Sequence, residues 1–309
     1  MRVITQHTFG GPSVLELVEA ARPEPGHGQV LIKTGAIGMN PVDATVRSGS
    51  WPMLGEPPFT IGWDITGTVE TAGPGVSAFA PGDQVLGMLA FPGAGNTYAE
   101  YVLASVNEII HKPSDLTIEQ AAGLPLAGLT AWQSLVGLAK IQPGQRVLVH
   151  RAAGGVGHLA VQIAKARGAH VTGTASAGKH DLLRRLGVDR PVDYRTQDFT
   201  EVGQVDVVFD LVGGEYGERS ARIVTPGGML VSAAAHDTGI TPDRIAELGI
   251  RHALTVVSPS APDLTQLAAL VKAGHLTVHV DHVLPLAEAA KAHEILATGS
   301  ATGKLVLVP

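Results

Sequence analysis

The chain has 309 residues, enough for two domains that each bury a core. Its formal charge of −6, with no basic run, argues against nucleic acid or an anionic membrane as partner, because both select positive charge. Cysteine is absent, which removes disulfides, thiolate zinc sites and cysteine nucleophiles together.

Taken in order, residues 1–118 read as short strands, among them Gln29–Thr34, Ile65–Glu70 and Tyr98–Leu103. Turns at Pro25-Gly26, Gly73-Pro-Gly75 and Pro81-Gly-Asp83 separate them, which predicts a small antiparallel barrel. At Glu119 the composition changes, and Ile118–Lys140 is predicted as helix. Arg146–His150 is then a β-branched apolar run, Ala152–Gly157 a glycine-rich turn, and His158–Arg167 a helix that Gly168 stops. Ala169–Thr174 completes a βαβ unit. Alternation continues with helix His180–Leu186, strand Val205–Leu211, helix Gly214–Val224, strand Met229–Ala233 after the turn Pro226-Gly-Gly228, and a last strand Arg251–Ser258. Helix Asp263–Ala273, strand Leu276–Val283, helix Leu286–Thr298 and strand Lys304–Val308 end the chain. The pattern is α/β, a doubly wound parallel sheet joined to an antiparallel barrel.

A strand, a glycine turn and a helix in that order suit a dinucleotide pyrophosphate. The glycines let the backbone approach the phosphates, and the helix start meets the negative charge. The amides of Gly154, Gly155, Val156 and Gly157 are the expected cradle. An NAD site usually carries Asp or Glu at the end of the second strand for the ribose 2′-hydroxyl. Here that place holds Thr174-Ala-Ser176-Ala-Gly-Lys179, and a hydroxyl with a cation suits a 2′-phosphate, so NADPH is the expected cofactor. Asp181 lies near enough in sequence to support NADH instead. His275, His279 and His282 with Asp281 resemble a metal set, but strand alternation puts His282 on the opposite face from His279 and Asp281.

Several further segments carry a likeness: Asn40-Pro-Val-Asp43 with Arg47-Ser-Gly49, Gly62-Trp-Asp64-Ile-Thr-Gly67, Tyr98-Ala-Glu-Tyr101, Leu124-Pro-Leu-Ala-Gly-Leu-Thr130, Asp193-Tyr194-Arg195, Asp210-Leu-Val-Gly-Gly214 and Thr302-Gly-Lys304. With them the chain resembles, nearly end to end, the zinc-independent branch of the medium-chain dehydrogenase/reductase superfamily, close to the NADPH:quinone oxidoreductases of the zeta-crystallin type. The resemblance implies a GroES-like barrel over 1–118, a Rossmann NADPH domain over 119–262 and a C-terminal segment, 263–309, that returns to the barrel. It implies an active site in the cleft between domains and a homodimer formed through Arg251–Ser258. One position departs from the wider family motif, which often has Gly or Ala where this chain has Arg151.

The zinc-dependent members of that family hold metal with Cys and His, a set this sequence lacks. The expected acceptor is therefore one that takes hydride without a Lewis acid, such as a quinone or an activated enone. By resemblance Ser176, Lys179 and Tyr194 hold the 2′-phosphate, and Asn40, Thr130, Val212 and Ser232 lie near the nicotinamide. Asn40 is the expected donor to a substrate carbonyl, or else a turn former beside Pro41. Asp43, ionised if unperturbed, anchors its loop; Asp64 and Glu100 read as structural. Trp51 stands where relatives carry a tyrosine, and an indole donates no proton to a substrate in this way. Tyr98 is then the candidate proton donor, or else a residue that fills the barrel. The reading is a cytoplasmic NADPH-dependent quinone oxidoreductase; its rivals are an enone or enoyl reductase and a non-enzymatic NADPH-binding protein.

Overall fold

A computed structural model of the protein describes residues 1–233 and 237–309. It forms two compact units, one of Met1–Leu129, Ser258–Ala273 and Thr277–Pro309, the other of Thr130–Val257 and Gly274–Leu276.

The first unit begins with β1 (Arg2–Thr5), β2 (Glu16–Glu19), β3 (Gln29–Gly38), α1 (Pro41–Ser48), β4 (Asp64–Ala72), β5 (Gln84–Met88), β6 (Tyr101–Ser105) and β7 (Ile109–His111). Helix α2 (Ile118–Gly123) follows, and in α3 (Pro125–Trp132) the chain passes from the first unit to the second. Strand β3 is the spine of the sheet. It pairs antiparallel with β4 and with β6, and its buried Val30, Ile32, Ile37 and Ala36 account for its apolar run. The expected strand at Tyr98 starts only at Tyr101; residues 98–100 instead bond to β1 through Ile4 N to Tyr98 O at 2.8 Å and Glu100 N to Arg2 O at 3.0 Å.

Helix α1, which the periodicity did not announce, is bounded by Asn40 in extended conformation, Pro41 in the first turn and Gly49 in the left-handed region at φ 81°. Those are ordinary start and stop signals. The single helix expected over Ile118–Lys140 is divided. Pro125 begins α3, and after Trp132 the chain widens into a π-type turn, Gln133–Leu138, with Ala139 N donating to Ser134 O at 2.9 Å. Ser134 Oγ bonds back to the Thr130 carbonyl at 2.6 Å and meets Thr255 Oγ1 at 2.7 Å, so a side chain competes for the helical acceptor.

The second unit contains β8 (Arg146–Val149), α4 (Gly157–Ala166), β9 (His170–Ala175), α5 (His180–Arg185), β10 (Arg190–Asp193), β11 (Val205–Asp210), α6 (Glu215–Ala221), β12 (Val224–Ser232), α7 (Pro242–Leu248) and β13 (Arg251–Leu254). All its strands are parallel, in the order β10-β9-β8-β11-β12-β13. This is the doubly wound order, with its reversal between β8 and β11, where ligands of such sheets bind. Val147, Leu148 and Val149 are buried, as a central parallel strand requires, and Leu148, Val192, Phe199, Val208 and Leu230 belong to one core cluster. The expected turn at Pro226–Gly228 lies inside β12 as an irregularity: Val205 pairs Val224 and Val207 pairs Met229.

The chain then returns to the first unit with α8 (Ala261–Lys272), β14 (Val280–Pro285), α9 (Ala289–Ala297) and β15 (Lys304–Val308). Strand β15 joins β3 antiparallel, and β14 lies outside it. The strand expected from Leu276 starts only at Val280, and its register shifts before His282, so His279 is outside it. His282 Nε2 is 3.6 Å from Asp281, and among the described residues no three His, Asp or Glu side chains form a metal-holding group.

Candidate functional site

In the second unit the glycine turn follows β8 at the reversal of strand order. A Cβ on Gly157 would lie 2.2 Å from the Arg151 carbonyl oxygen, so only glycine permits the turn to close on itself there. Helix α4 starts at this residue; the His158 and Leu159 amides donate back to Gly154 O at 3.0 Å and Val156 O at 3.2 Å. Thr174 ties the turn to β9: its hydroxyl accepts from Arg151 N at 3.2 Å and its carbonyl from Ala152 N at 2.9 Å.

The register of the next two strands puts Ala175 opposite Asp193, so Ser176 and Tyr194 leave neighbouring strand ends together. Ser176 opens a short turn, in which Lys179 N donates to Ser176 O at 2.9 Å. Tyr194 is 47% exposed, with the Arg195 guanidinium 5.8 Å from its ring centre. Hydroxyls and cations thus gather at the ends of β8, β9 and β10, a donor set whose chemistry fits phosphate. Asp181, the residue that would favour NADH, accepts from Arg184 Nη1 at 2.8 Å on the exposed face of α5.

On the other side of the reversal, Asp210 Oδ1 accepts from Val212 N at 2.8 Å and Gly213 N at 3.1 Å and shapes the turn after β11. Val212 is 38% exposed, while Ser232 is buried with its Oγ 3.1 Å from His252 Nε2. Thr130 is buried, its carbonyl held by Ser134.

In the first unit, Asn40 and Tyr98 belong to one buried polar cluster. Asn40 Nδ2 donates to Asp64 Oδ2 at 2.9 Å and lies 3.4 Å from Gly38 O, while Lys304 Nζ donates to Asn40 Oδ1. Asp64 Oδ1 accepts from Leu126 N at 2.7 Å, and its Oδ2 is 3.5 Å from Lys304 Nζ. Both faces of the Asn40 amide are therefore engaged, and its second hydrogen makes a weak bond that a better acceptor would displace.

Asp43 corrects the expectation of an ordinary ionised carboxylate. Burial pushes it up to about 7; the Asn40 backbone N–H, which donates to Oδ2 at 2.7 Å, pulls it down, and the neighbouring Asp64 raises it. Its Oδ2 also accepts from the Tyr98 hydroxyl at 3.1 Å, whereas Oδ1 has no hydrogen-bond partner among the described residues. Tyr98 is fully buried and fills the barrel, and burial followed by the Asp43 charge raises its phenol well above 10. Its other neighbour is His293 Nε2 at 3.2 Å. Arg47 Nη1 lies 3.2 Å from His293 Nδ1, and a guanidinium only donates. Nδ1 must then accept, Nε2–H donates to Tyr98, and Tyr98 donates to Asp43. The chain of bonds has one direction, and it leaves His293 neutral. Burial, then the Arg47 charge, pulls His293 down to about 3 in agreement. For Asp64 and Lys304 burial raises the acid and lowers the base, and their attraction opposes it in each.

Sequence reasoning did not find His293, and it marked Lys304 only as part of a terminal segment without its role, since each meets its partners across most of the chain. Trp51, by contrast, is half-buried with its ring 6.4 Å from Phe91, which in turn meets Trp63 at 5.5 Å.

Two family models match the sequence, an alcohol dehydrogenase GroES-like domain over residues 26–114 and a zinc-binding dehydrogenase over residues 186–307. The chain is 36% identical over 98% of its length to a 2-haloacrylate reductase from a Burkholderia species, covering 97% of that protein. It matches the structure of the quinone oxidoreductase from Coxiella burnetii with a TM-score of 0.95 and 38% identity, over 100% of this chain and 99% of that one. It also matches the Escherichia coli quinone oxidoreductase complexed with NADPH, with a TM-score of 0.92 and 30% identity over all of both chains. The chain belongs to the medium-chain dehydrogenase/reductase superfamily, with its GroES-like barrel and Rossmann sheet. Within it the branch is that of the quinone oxidoreductases, and the protein is an oxidoreductase.

Proposed function

We propose that the protein binds NADPH and uses it to reduce a quinone. The observation that carries the cofactor is the set at the ends of β8, β9 and β10: Arg151, Ser176, Lys179 and Tyr194 stand where an NAD enzyme places a carboxylate, while Asp181 is paired with Arg184. When bound, the nicotinamide supplies the hydride. The chain's own part is to bind and orient: the amides of Gly155, Val156 and Gly157 take the pyrophosphate, while the expected Gly154 amide donates instead to Arg151 O at 2.8 Å and shapes the turn, and Ser176, Lys179 and Tyr194 take the 2′-phosphate. Thr130, Val212 and Ser232 are the proposed neighbours of the nicotinamide.

Asn40 is the proposed donor to an acceptor oxygen as charge develops on it, through the Nδ2 hydrogen now spent on the long contact to Gly38. Lys304 and Asp64 hold that amide in one orientation beforehand. Tyr98 is a poor proton donor to a substrate, since its own hydrogen is committed to Asp43 in the barrel interior. A reduced quinone, which takes its protons from water, suits such a site better than a carbon that must be protonated in place. A homodimer through β13 accords with the position of that strand at the edge of its sheet and with Leu254 and Val256, 42% and 69% exposed. A cytoplasmic location goes with this reading.

The second reading, reduction of an activated carbon–carbon double bond, is favoured by the likeness to a 2-haloacrylate reductase. NADPH oxidation measured with a quinone, with an unsaturated ketone and with 2-chloroacrylate, each repeated with NADH and with chelator, separates the two. Chelator-insensitive turnover of the quinone, faster with NADPH, is the expected result. Turnover confined to the double-bond substrates would replace the quinone reading.

A further inference from the structure

We infer that Arg151 is a specificity-determining residue of the cofactor site, holding the 2′-phosphate of NADPH from the start of the turn that follows β8. The inference rests on the NADPH reading above. Three observations carry it.

The first is backbone conformation. Arg151 has φ 48°, in the left-handed region that side chains avoid and glycine enters freely. A residue kept there against that preference marks a place where the side chain has a use. The second is position. Arg151 N bonds to the Thr174 hydroxyl and Ala152 N to the Thr174 carbonyl, so Arg151 is fastened to the carboxyl end of β9, two residues before Ser176. A dinucleotide fold receives the adenosine ribose at that strand end, whereas the pyrophosphate lies further on, over the amides at the start of α4. The third is availability. The Arg151 side chain is exposed, and among the described residues no carboxylate or other acceptor takes a hydrogen bond from its guanidinium. The neighbouring cations differ in this respect, since Arg184 is bound to Asp181 and Arg195 lies over Tyr194.

A guanidinium presents a planar fork of donors that matches two phosphate oxygens at once, and its charge is permanent. Opposite a free 2′-hydroxyl the same group gains little. Arg151 would therefore discriminate between the two cofactors, together with Ser176 and Lys179 on the adjoining turn.

The test is calorimetric titration of the full chain, as wild type and as R151G, with NADPH, NADH, 2′-AMP and 5′-AMP. Glycine relieves the left-handed conformation, so R151G is expected to fold with an unchanged or higher melting midpoint. Loss of one charge-assisted phosphate contact should weaken NADPH and 2′-AMP by on the order of ten- to a hundred-fold, and leave NADH and 5′-AMP within about two-fold. Equal weakening of NADPH and NADH would overturn the inference and assign Arg151 to the pyrophosphate. No weakening of either would overturn it and leave the side chain in solvent. If wild type itself binds NADPH no better than NADH, the NADPH reading fails with it, and that result comes from wild type alone.

Discussion

The two units bury polar groups in different ways. In the second unit His150 sits at the end of β8 with Nε2 2.9 Å from Ser220 Oγ and Nδ1 3.2 Å from Thr174 Oγ1, and the rings of Phe199 and Tyr216 meet it edge-on at 4.6 and 4.9 Å. Every member is neutral, and burial followed by the Arg219 charge pulls the imidazole down to about 3. In the first unit His293 is just as buried and titrates as low, but its neighbours are Arg47, Tyr98 and, beyond them, two carboxylates and one lysine. A neutral set is satisfied by turning hydroxyls, whereas a charged set depends on each partner remaining in place. The first interior should therefore be the more fragile to substitution and the more sensitive to pH.

The largest expected effect comes from removing the cation. Lys304→Met leaves Asp64 without its ion pair and Asn40 Oδ1 without a donor, and should cost about 3–5 kcal/mol in urea unfolding at neutral pH. Adding Asp64→Asn should recover part of that loss; a cost near zero for Lys304→Met alone would show that the cluster does not need the charge.

Asp43 comes next and works in the opposite direction. Its carboxyl lies near 7 in the folded chain against 3.8 ordinarily, so the folded state holds the proton more tightly. Its contribution to stability is thus fullest below about pH 4 and declines as pH rises towards 7. Asp43→Asn should gain on wild type across that interval, by roughly 2–3 kcal/mol at pH 8 after the cost of a mismatched amide. Parallel pH profiles of the two proteins would contradict the assignment.

His150 should show a smaller effect of the other sign. Its folded value near 3 lies below the ordinary 6.5, so its contribution is complete above pH 6.5 and is lost as pH falls towards 3. His150→Phe should cost about 1–2 kcal/mol at pH 7, because Ser220 Oγ loses its partner while Thr174 Oγ1 keeps the Arg151 amide, and should flatten the acid limb of the melting profile. Of similar size, Tyr98→Phe removes one link of the chain between His293 and Asp43, leaves the buried His293 Nε2–H unpartnered and should cost about 1–3 kcal/mol with little change in cofactor affinity. A large fall in quinone turnover at unchanged stability would instead restore the phenol as a proton donor.

Much of this was legible in the sequence because it is local. The strand, turn and helix over Arg146–Ala166 lie within a few residues of their reading, and the parallel order follows from the alternation that continues to β13. Helices α1 and α7 were missed for a physical reason: they are short, and α7 buries none of its residues, so there is no apolar stripe to see. Their caps were visible all the same, as Asn40-Pro41 with Gly49 and Thr241-Pro242 with Gly249. The buried cluster was hidden by distance along the chain. Arg47 and His293 are 246 residues apart, Asn40 and Lys304 are 264 apart, and no local pattern joins them. Nor does residue type disclose a positive φ at Arg151, where the sequence showed only a departure from Gly or Ala.

The widened turn at Gln133–Leu138 acts as a clasp. Ser134 holds the Thr130 carbonyl with one short bond and meets Thr255, the first residue after the edge strand β13, with another. Thr255 N is in turn bonded to Ser232 O at 2.8 Å. Three segments remote in sequence are thus joined through two hydroxyls and one backbone bond, so a shift of the β13 edge is passed to the Thr130 carbonyl. If copies of the chain pair along that edge, the pairing pulls on the same clasp that sets Thr130.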